Sequence, residues 1–197
     1  LEERPSRLKG ARIALIANPA SVDSRLNHSI DLFYARKDFQ LMLILGPEHG
    51  ARGESQDQIE MGDCADEATG LPVYSLYGKS LIPTPEMIRD VETLVFDLQD
   101  IGSRYYTYVH TMAYAMQSCA RDGKRMVVLD RPNPINGITV QGNILDPDYS
   151  SFVGLYPLAV RHGMTAGELA LLLNKEFHIG CRLEVVAIQV WRRSMWF

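Results

Sequence analysis

The sequence is short of the features that mark several large classes of protein. It contains no apolar run near the roughly 18 residues that a membrane-spanning helix requires, so no membrane span is predicted. Cysteine occurs three times, at Cys64, Cys119 and Cys181, and never as a CxxC pair, which excludes a disulfide framework and a cysteine zinc site. Lysine and arginine number 20 against 24 acidic residues and are dispersed, so no nucleic-acid partner is predicted.

The loops that mark nucleotide, zinc-protease and serine-hydrolase sites are also missing. Gly78-Lys79-Ser80 has the form of the end of a phosphate loop, but Val73 stands where that loop requires its first glycine. The segment NPASVDS, after the first apolar run, has no glycine, which excludes the dinucleotide fingerprint. HExxH and GxSxG do not occur, and the five histidines lack metal-ligand spacing. We therefore predict no metal and no other cofactor.

What the sequence does contain is a regular series of short apolar runs. Its 197 residues are 46% hydrophobic and 22% charged, which suits one globular domain with a sizeable core. Short runs rich in valine, isoleucine and leucine are typical of strands buried on both faces, as in parallel sheets. The predicted strands lie at 12–18, 41–45, 93–98, 125–130 and 183–188.

Helical periodicity or capping signals appear between these runs. Thr84-Pro85 resembles a helix start, and Thr165 with Glu168 forms a capping box. Alternating strands and helices predict an α/β fold, a doubly wound and mostly parallel sheet with helices on both faces. Residues 50–83 show no clear period and are predicted to be a long loop or small insertion. The predicted helices lie at 27–37, 84–92, 104–121 and 166–176.

Polar residues follow four of the predicted strands. Because parallel strands present their carboxyl ends at one edge of the sheet, these residues should form one rim where a ligand can bind. For any one of them a turn or cap is the simpler interpretation, but the combination favours a functional site. The residues are Asn18 after the first strand, Glu48 and His49 after the second, Asp97, Asp100 and Arg104 after the third, and Asp130, Arg131 and Asn133 after the fourth.

The composition of this rim indicates carbohydrate chemistry. Glycosidases place two carboxyl groups around the scissile bond, and one of them must be protonated, which burial promotes by raising its pKa. Glu48, at the end of an apolar strand, is our predicted acid, with Asp97 or Asp100 as its partner. One of Tyr105, Tyr106 and Tyr108 can supply an aromatic wall for a sugar ring. The same rim can also bind a saccharide without cleaving it.

Long ordered strings of this sequence resemble the NamZ-type exo-β-N-acetylmuramidase family, long known as a bacterial domain of unknown function. The resemblance covers nearly the whole chain. It implies that residues 1–197 form a Rossmann-like catalytic domain, and that the second, C-terminal domain of the family is a partner absent from this chain. The matching strings are GPEHGARGE (46–54), TGLPVYSLYGK (69–79), PTPEM (83–87), VFDLQDIGSRYYTY (95–108), LDRPNPING (129–137), SFVGLYPLAVRHGMTAGELA (151–170) and WRRSMWF (191–197).

The resemblance also implies an activity, the release of N-acetylmuramic acid (MurNAc) from non-reducing ends of peptidoglycan fragments such as MurNAc-GlcNAc. Such a substrate predicts a periplasmic or secreted protein. Glu48 holds the place of the family's expected catalytic glutamate. The residues we assign on this basis are Glu48, His49, Asp97 and Asp100 as catalytic, and Asn18, Arg52, Arg104, Asp130, Arg131, Asn133 and His162 as substrate-binding.

Three positions depart from the family pattern. Ala51 stands where an aromatic residue is expected, Gln141 where an acidic residue is frequent, and Asn143 where proline is frequent. If that acid is catalytic in relatives, a non-catalytic muropeptide-binding domain becomes the alternative function. The lactyl carboxylate of the substrate also predicts an arginine partner, for which Arg52, Arg104 and Arg131 are candidates. For each arginine, an ion pair inside the fold is the alternative role.

Overall fold

The structure is a computed structural model that describes residues 7–53 and 64–196. Strands and helices both occur along the described chain, but an α-helix does not separate every pair of successive strands. The strands are β1 (Arg12–Ala17), β2 (Gln40–Gly46), β3 (Cys64–Ala65), β4 (Pro72–Ser75), β5 (Thr93–Asp97), β6 (Arg125–Leu129), β7 (Gln141–Ile144), β8 (Ala159–Arg161) and β9 (Arg182–Val186). The α-helices are α1 (Ser29–Tyr34), α2 (Tyr108–Arg121) and α3 (Ala166–Glu176), and one turn of 3-10 helix spans Pro147–Tyr149.

Seven of these strands form one sheet in the order β3-β4-β2-β1-β5-β6-β9. Every neighbouring pair is parallel except β3 and β4, which are antiparallel. From β1 the chain builds outward to one side through β2 and β4, and then to the other through β5, β6 and β9. This reversal confirms the predicted doubly wound α/β fold and places its switch point between β1 and β5.

Each central strand is buried on both faces, which explains its unbroken apolar sequence. Along β1, Ala14 and Ile16 face a core built with α2 and α3, while Ile13 and Leu15 face a second core built with α1. All four side chains are fully buried. Alternate strand residues thus serve opposite faces, so a polar residue at a strand end belongs to one face or the other.

One predicted helix is wrong. Residues 84–92 form hydrogen-bonded turns: Ile88 N donates to Thr84 O over 3.3 Å, but Val91 N donates to Ile88 O, so no helical ladder follows. Glu92 N then donates to Arg12 O over 2.9 Å, which draws the chain toward the sheet edge where β5 begins. The other predicted helices are present. No helix among the described residues is long and apolar enough to cross a bilayer.

The predicted loop at 50–83 also contains two short strands of the main sheet. β4 pairs with β2 from Ile44 opposite Val73, and β3 covers the outer edge of β4. Elements of four and two residues are too short to show a period in sequence. The remainder of that prediction includes residues 54–63, which lie outside the described residues.

A second, two-stranded sheet of β7 and β8 stands beside the strand ends. Gln141 of β7 is paired with Arg161 of β8. This sheet is tied to the loop after β5, because Arg104 N donates to Val160 O over 2.8 Å and Ser103 forms a bridge with Arg161. The hairpin therefore adds a wall to the edge at which the predicted polar residues lie.

Candidate functional site

The predicted rim exists, but its residues divide between the two faces of the sheet. β1, β2, β5 and β6 end at the same edge because all four are parallel. Asp97 follows Phe96, which faces α2, and therefore points to the α1 face. Glu48 contacts Thr107 at the start of α2 and belongs to the other face. The four strand ends thus supply two separate groups of polar side chains.

A tight turn presents Glu48 at the end of β2. Gly50 N donates to Pro47 O over 2.9 Å, and His49 has a φ of 71°, as the third residue of a type II turn requires. A Cβ on Gly46 would lie 3.0 Å from Ala51 N, so a larger residue would push the turn away from the strand. The GPEHG string thus encodes a fixed turn, with Glu48 partly buried and His49 exposed.

Glu48 is surrounded by hydroxyl groups. Thr107 Oγ1 donates a hydrogen bond of 3.1 Å to Glu48 Oε2. The Tyr77 phenol lies against the same carboxylate, whose negative charge raises the pKa of Tyr77. Burial, contact with Tyr108 and the charges of Asp100 and Glu48 raise the pKa of Tyr106 to about 12. The phenols therefore remain neutral at physiological pH and can donate to a carboxylate or a sugar oxygen.

Aromatic rings extend from Glu48 along one side of the site. Tyr77 and Phe152 have ring centroids 6.1 Å apart, and Phe152 stacks on Tyr114 at 6.4 Å with an interplanar angle of 7°. All three rings are half-buried. Of the tyrosines considered from sequence, Tyr108 packs in the core and Tyr105 is 60% exposed. The aromatic surface nearest Glu48 is thus built mainly by residues that the helix periodicity did not single out.

Asp100 lies on this side of the sheet but is almost completely buried. Its Oδ2 accepts from Gly102 N over 2.8 Å and lies 3.2 Å from His162 Nε2, although the ring N–H is not aligned for a hydrogen bond. His110, fully buried, shares the cluster, and burial lowers its pKa against the opposing effect of Asp100. The buried atoms that have no hydrogen-bond partner among the described residues include Asp100 Oδ1, Ser103 Oγ, His110 Nδ1 and His162 Nε2.

Asp97 is held within the fold on the α1 face. Arg131 Nε donates to its Oδ1 over 2.7 Å, and the hydroxyl of Ser29, at the start of α1, donates to Oδ2. Asn18 is also buried in this group, where its Oδ1 accepts from Ala20 N over 3.1 Å. An open cavity of about 820 Å³ lies along this face, lined in part by Arg25, Asp97 and Arg131. Both carboxylate oxygens of Asp97 already have protein partners.

The three candidate arginines differ in what they contact. Arg52 bridges Asp31 and Asp66, with Nη2 2.6 Å from Asp31 Oδ1, and these carboxylates raise its pKa further above the usual range. Arg131 is paired with Asp97. Arg104 instead donates through Nη1 to two main-chain carbonyls, Asn143 O at 2.8 Å and Leu158 O, and has no ion pair among the described residues.

Asp130 and Asn133 support the start of α3 and its preceding loop. Asp130 accepts from Gly167 N over 2.7 Å and from Thr165 Oγ1 over 2.9 Å. Burial raises the pKa of Asp130, and these hydrogen bonds oppose that effect. Asn133 is 1% exposed and donates to Met164 O over 2.9 Å. Both side chains thus make the contacts expected of a cap or turn.

Neither Thr107 nor Tyr77 was among the site residues predicted from sequence. Both lie inside quoted strings, but nothing in their spacing indicates contact with Glu48, which is 59 residues from Thr107. In the described ranges no three His, Cys, Asp or Glu side chains are arranged to hold a metal ion. Among the residues that the structure describes, the chemistry that this site offers is therefore that of one accessible carboxylate, flanking phenols and hydroxyls, and an arginine.

Comparison with known proteins places the whole chain in one group. A family model described as "Exo-beta-N-acetylmuramidase NamZ, N-terminal" matches residues 13–197. The curated "Peptidoglycan beta-N-acetylmuramidase NamZ" of Bacillus subtilis (strain 168) is 53% identical over 197 residues, which are 100% of this chain and 48% of that protein. The chain therefore spans about half the length of the curated relative that it matches.

Two solved structures share the fold. A DUF1343 family protein from Bacteroides fragilis NCTC 9343, determined at 1.65 Å, has a TM-score of 0.93 and 44% identity over 100% of this chain and 50% of its own. A second DUF1343 family protein from the same organism, determined at 1.30 Å, has a TM-score of 0.83 and 34% identity over 98% of this chain and 51% of its own.

Proposed function

The chain belongs to the NamZ N-terminal family, and from that membership we propose that it supplies the catalytic carboxylate of a peptidoglycan β-N-acetylmuramidase. The observation that carries the proposal is the setting of Glu48. Its carboxylate is partly exposed at the carboxyl edge of the sheet, with a hydroxyl donor and a phenol against it. Asp97 and Asp100 are only 3% and 4% exposed. Glu48 is therefore the predicted acid that a substrate can reach.

In this proposal Glu48 acts as general acid/base on the glycosidic oxygen next to MurNAc. Proton transfer requires the carboxyl group within hydrogen-bond reach of that oxygen, and the fixed turn at Pro47–Gly50 holds it at the rim. We assign Arg104 to the lactyl carboxylate. Unlike Arg52 and Arg131, it contacts carbonyls rather than carboxylates, so its charge is available to an acid. The Tyr77 and Phe152 rings offer a surface for a sugar ring.

Because Asp97 and Asp100 are both buried, we propose that the substrate itself supplies the second catalytic group. Glycosidases that act on 2-acetamido sugars can use the substrate's acetamido oxygen in place of a protein nucleophile. Substrate assistance fits a site whose accessible carboxylate is Glu48 alone among the three predicted carboxylates. It predicts that MurNAc is released with retained β-configuration, which ¹H NMR of the first product formed would report. Release of the α-anomer would indicate inversion, with Asp100 as the base.

The deciding experiment is release of MurNAc from MurNAc-GlcNAc by the protein in its full natural length, with Glu48→Gln beside it. We expect release by the natural protein and its loss in a folded Glu48→Gln variant. Asp100→Asn and Asp97→Asn complete the set, since loss of turnover in a folded variant would identify a partner carboxylate. Near-normal turnover by Glu48→Gln would refute the assignment. On longer fragments, exo-action yields MurNAc monosaccharide from the first time point, whereas endo-action yields oligosaccharides.

One observation favours a second candidate function, a non-catalytic muropeptide-binding domain. Gln141, where the family often has an acid, is exposed on β7 and accepts from Arg161 Nη1 over 3.1 Å. If the acid expected at this position is catalytic in the family, a neutral amide here would leave a site that binds a saccharide without cleaving it. Calorimetry that shows saccharide binding, with no product on long incubation, would support this alternative. Hydrolysis by a Gln141→Glu variant would then identify Gln141 as the reason that the natural protein does not cleave the saccharide.

The substrate also suggests where the protein works. Peptidoglycan lies outside the cytoplasmic membrane, so we propose a periplasmic or secreted location. Fractionation of the source cells with an antibody against this domain would test it, and recovery in the cytoplasmic fraction alone would contradict it.

A further inference from the structure

Thr107 stands at the N-terminus of α2 but does not cap it. Its side chain makes no capping hydrogen bond, and its φ and ψ of −68° and −17° are helical. Thr165 at the start of α3 shows the usual arrangement, with φ −79°, ψ 167° and a side chain that accepts from Glu168 N. A capping side chain needs the extended backbone to turn back on the first helical N–H groups. The helical backbone of Thr107 does not provide it.

The Thr107 hydroxyl instead donates to Glu48 Oε2 over 3.1 Å. Thr107 is 9% exposed, and its carbonyl accepts from His110 N at 3.0 Å and Thr111 N at 2.9 Å. The helix thus fixes the backbone of Thr107, and its branched Cβ restricts χ1. The flexible side chain of Glu48 is thus hydrogen-bonded to a donor whose position is fixed.

We propose that Thr107 is a positioning residue for Glu48, and that it fills this role because its hydroxyl is withheld from helix capping. The inference rests on the proposed function of Glu48. The hydrogen bond sets the direction of the carboxylate at the rim, and the partial positive charge at the start of α2 attracts the same group. Thr107 touches Glu48 rather than the substrate, so its effect is on the geometry of proton transfer.

Loss of the hydroxyl should therefore lower turnover at Thr107 and lower stability at Thr165. Thr107→Val keeps the shape of the side chain and removes the donor. It should lower kcat on MurNAc-GlcNAc by on the order of tenfold to a hundredfold with little change in KM, because small misplacement of a catalytic group has effects of that size. Its Tm should stay near that of the natural protein, since no cap is lost.

The control is Thr165→Val, which removes a hydroxyl that caps α3 and also donates to Asp130. That variant should lower Tm and keep its kcat. Thr107→Ser retains the donor and should restore most of the turnover. In Thr107→Val the loss should fall on kcat while KM stays near its natural value, because the substrate contacts are unchanged. A merely structural role would lower Tm and leave kcat in place.

The experiment measures kcat, KM and Tm for these variants and for Glu48→Gln, in the protein at its full natural length. Wild-type kcat in Thr107→Val, with Glu48→Gln inactive, would overturn this inference alone. A Tm loss in Thr107→Val equal to that of Thr165→Val, with kcat unchanged, would assign Thr107 to capping and also overturn it. Turnover by Glu48→Gln would overturn the proposed function and this inference with it. If Thr107→Val does not fold, Thr107→Ala removes the same donor and carries the test.

Discussion

Arg131 Nε lies 2.7 Å from Asp97 Oδ1, and this pair joins the ends of β5 and β6 on the face opposite Glu48. The side chains are 19% and 5% exposed, so the pair is largely withdrawn from solvent. Ser29 adds a hydrogen bond from the start of α1. A carboxylate at a strand end can therefore hold a helix to a sheet rather than act on a substrate.

We expect Asp97→Asn to lower stability and leave turnover intact. Removal of one member of a buried pair costs about 3–5 kcal/mol, because the remaining charge loses its partner. Urea unfolding would measure the loss, and kcat would be measured well below the Tm of the variant. Asp122→Asn is the control, since its partner Arg121 is 46% exposed and an exposed pair contributes little. A stable but inactive Asp97→Asn protein would instead establish Asp97 as a catalytic partner.

Arg52→Gln should destabilise the protein in a pH-dependent way. The hydrogen bond from Arg52 lowers the pKa of Asp31 below its ordinary 3.8, and for the more buried Asp66 burial opposes the shift but the Arg52 and Thr69 contacts outweigh it. A carboxyl whose folded-state pKa is depressed stabilises the fold above its unfolded pKa, and that contribution is lost as pH falls through the folded value.

The stability difference between natural protein and Arg52→Gln should therefore be full at neutral pH and shrink in acid below the ordinary aspartate pKa. Denaturant unfolding across that range is the measurement. Arg12→Gln serves as control, because both members of its pair with Glu92 are about half exposed. A difference that stays constant from neutral pH into acid would show that the ion pairs are not its source.

Gly102→Ala should be among the most damaging single-methyl changes near the site. Gly102 has a φ of +83°, and a Cβ there would lie 2.5 Å from Asn133 Oδ1 and 2.6 Å from Ile135 Cγ1. Gly70→Ala is the matched control, with a φ of +70° and open space around the added methyl. We expect the control to lose about 1–2 kcal/mol of unfolding free energy from backbone strain alone. Gly102→Ala should lose about 1–3 kcal/mol more because of overpacking. Equal losses in the two variants, measured by thermal unfolding, would contradict a steric clash at Gly102.

Phe152→Ala should weaken substrate binding more than turnover. An aromatic contact contributes about 0.5–1.5 kcal/mol beyond its buried area, so KM for MurNAc-GlcNAc should rise by about twofold to tenfold. Tyr149→Ala, 76% exposed on the neighbouring 3-10 turn, is the control and should leave KM unchanged. A drop in kcat alone would place Phe152 in the support of Glu48 through Tyr77 instead of in saccharide contact.

Local sequence patterns predicted the elements of this fold well where the signal spans enough residues. The run LMLIL lies in β2, and the Thr165–Glu168 capping box begins α3 as predicted. Thr84-Pro85 has the same kind of start signal without a helix, since the residues after it form turns before Glu92 N bonds to Arg12 O. A local start signal alone therefore does not determine a helix at that position.

The sequence predicted the edge of the sheet at which the site lies, but not which side chains contact one another there. The alternation of strands and helices predicts parallel strands, so Asn18, Glu48 and Asp97 were expected at one rim. Their division between faces depends on strand parity and on the turn after β2, where His49 takes a positive φ. The Thr107 contact joins positions 59 residues apart, and no local pattern encodes it. Tertiary geometry therefore separates the accessible carboxylate from the buried ones.

The same division bears on how the protein can be altered by design. The cluster of Asn18, Asp97 and Arg131 occupies one side of the strand ends, and Glu48 with Thr107 the other. If Asp97→Asn keeps its turnover, as we expect, substitutions chosen for heat tolerance can be confined to the first side without changing the geometry around Glu48. Substitutions chosen to change the preferred sugar belong to the second, where they do not draw on the main ion pair of the fold. Two libraries, screened separately and then recombined, would exploit that independence.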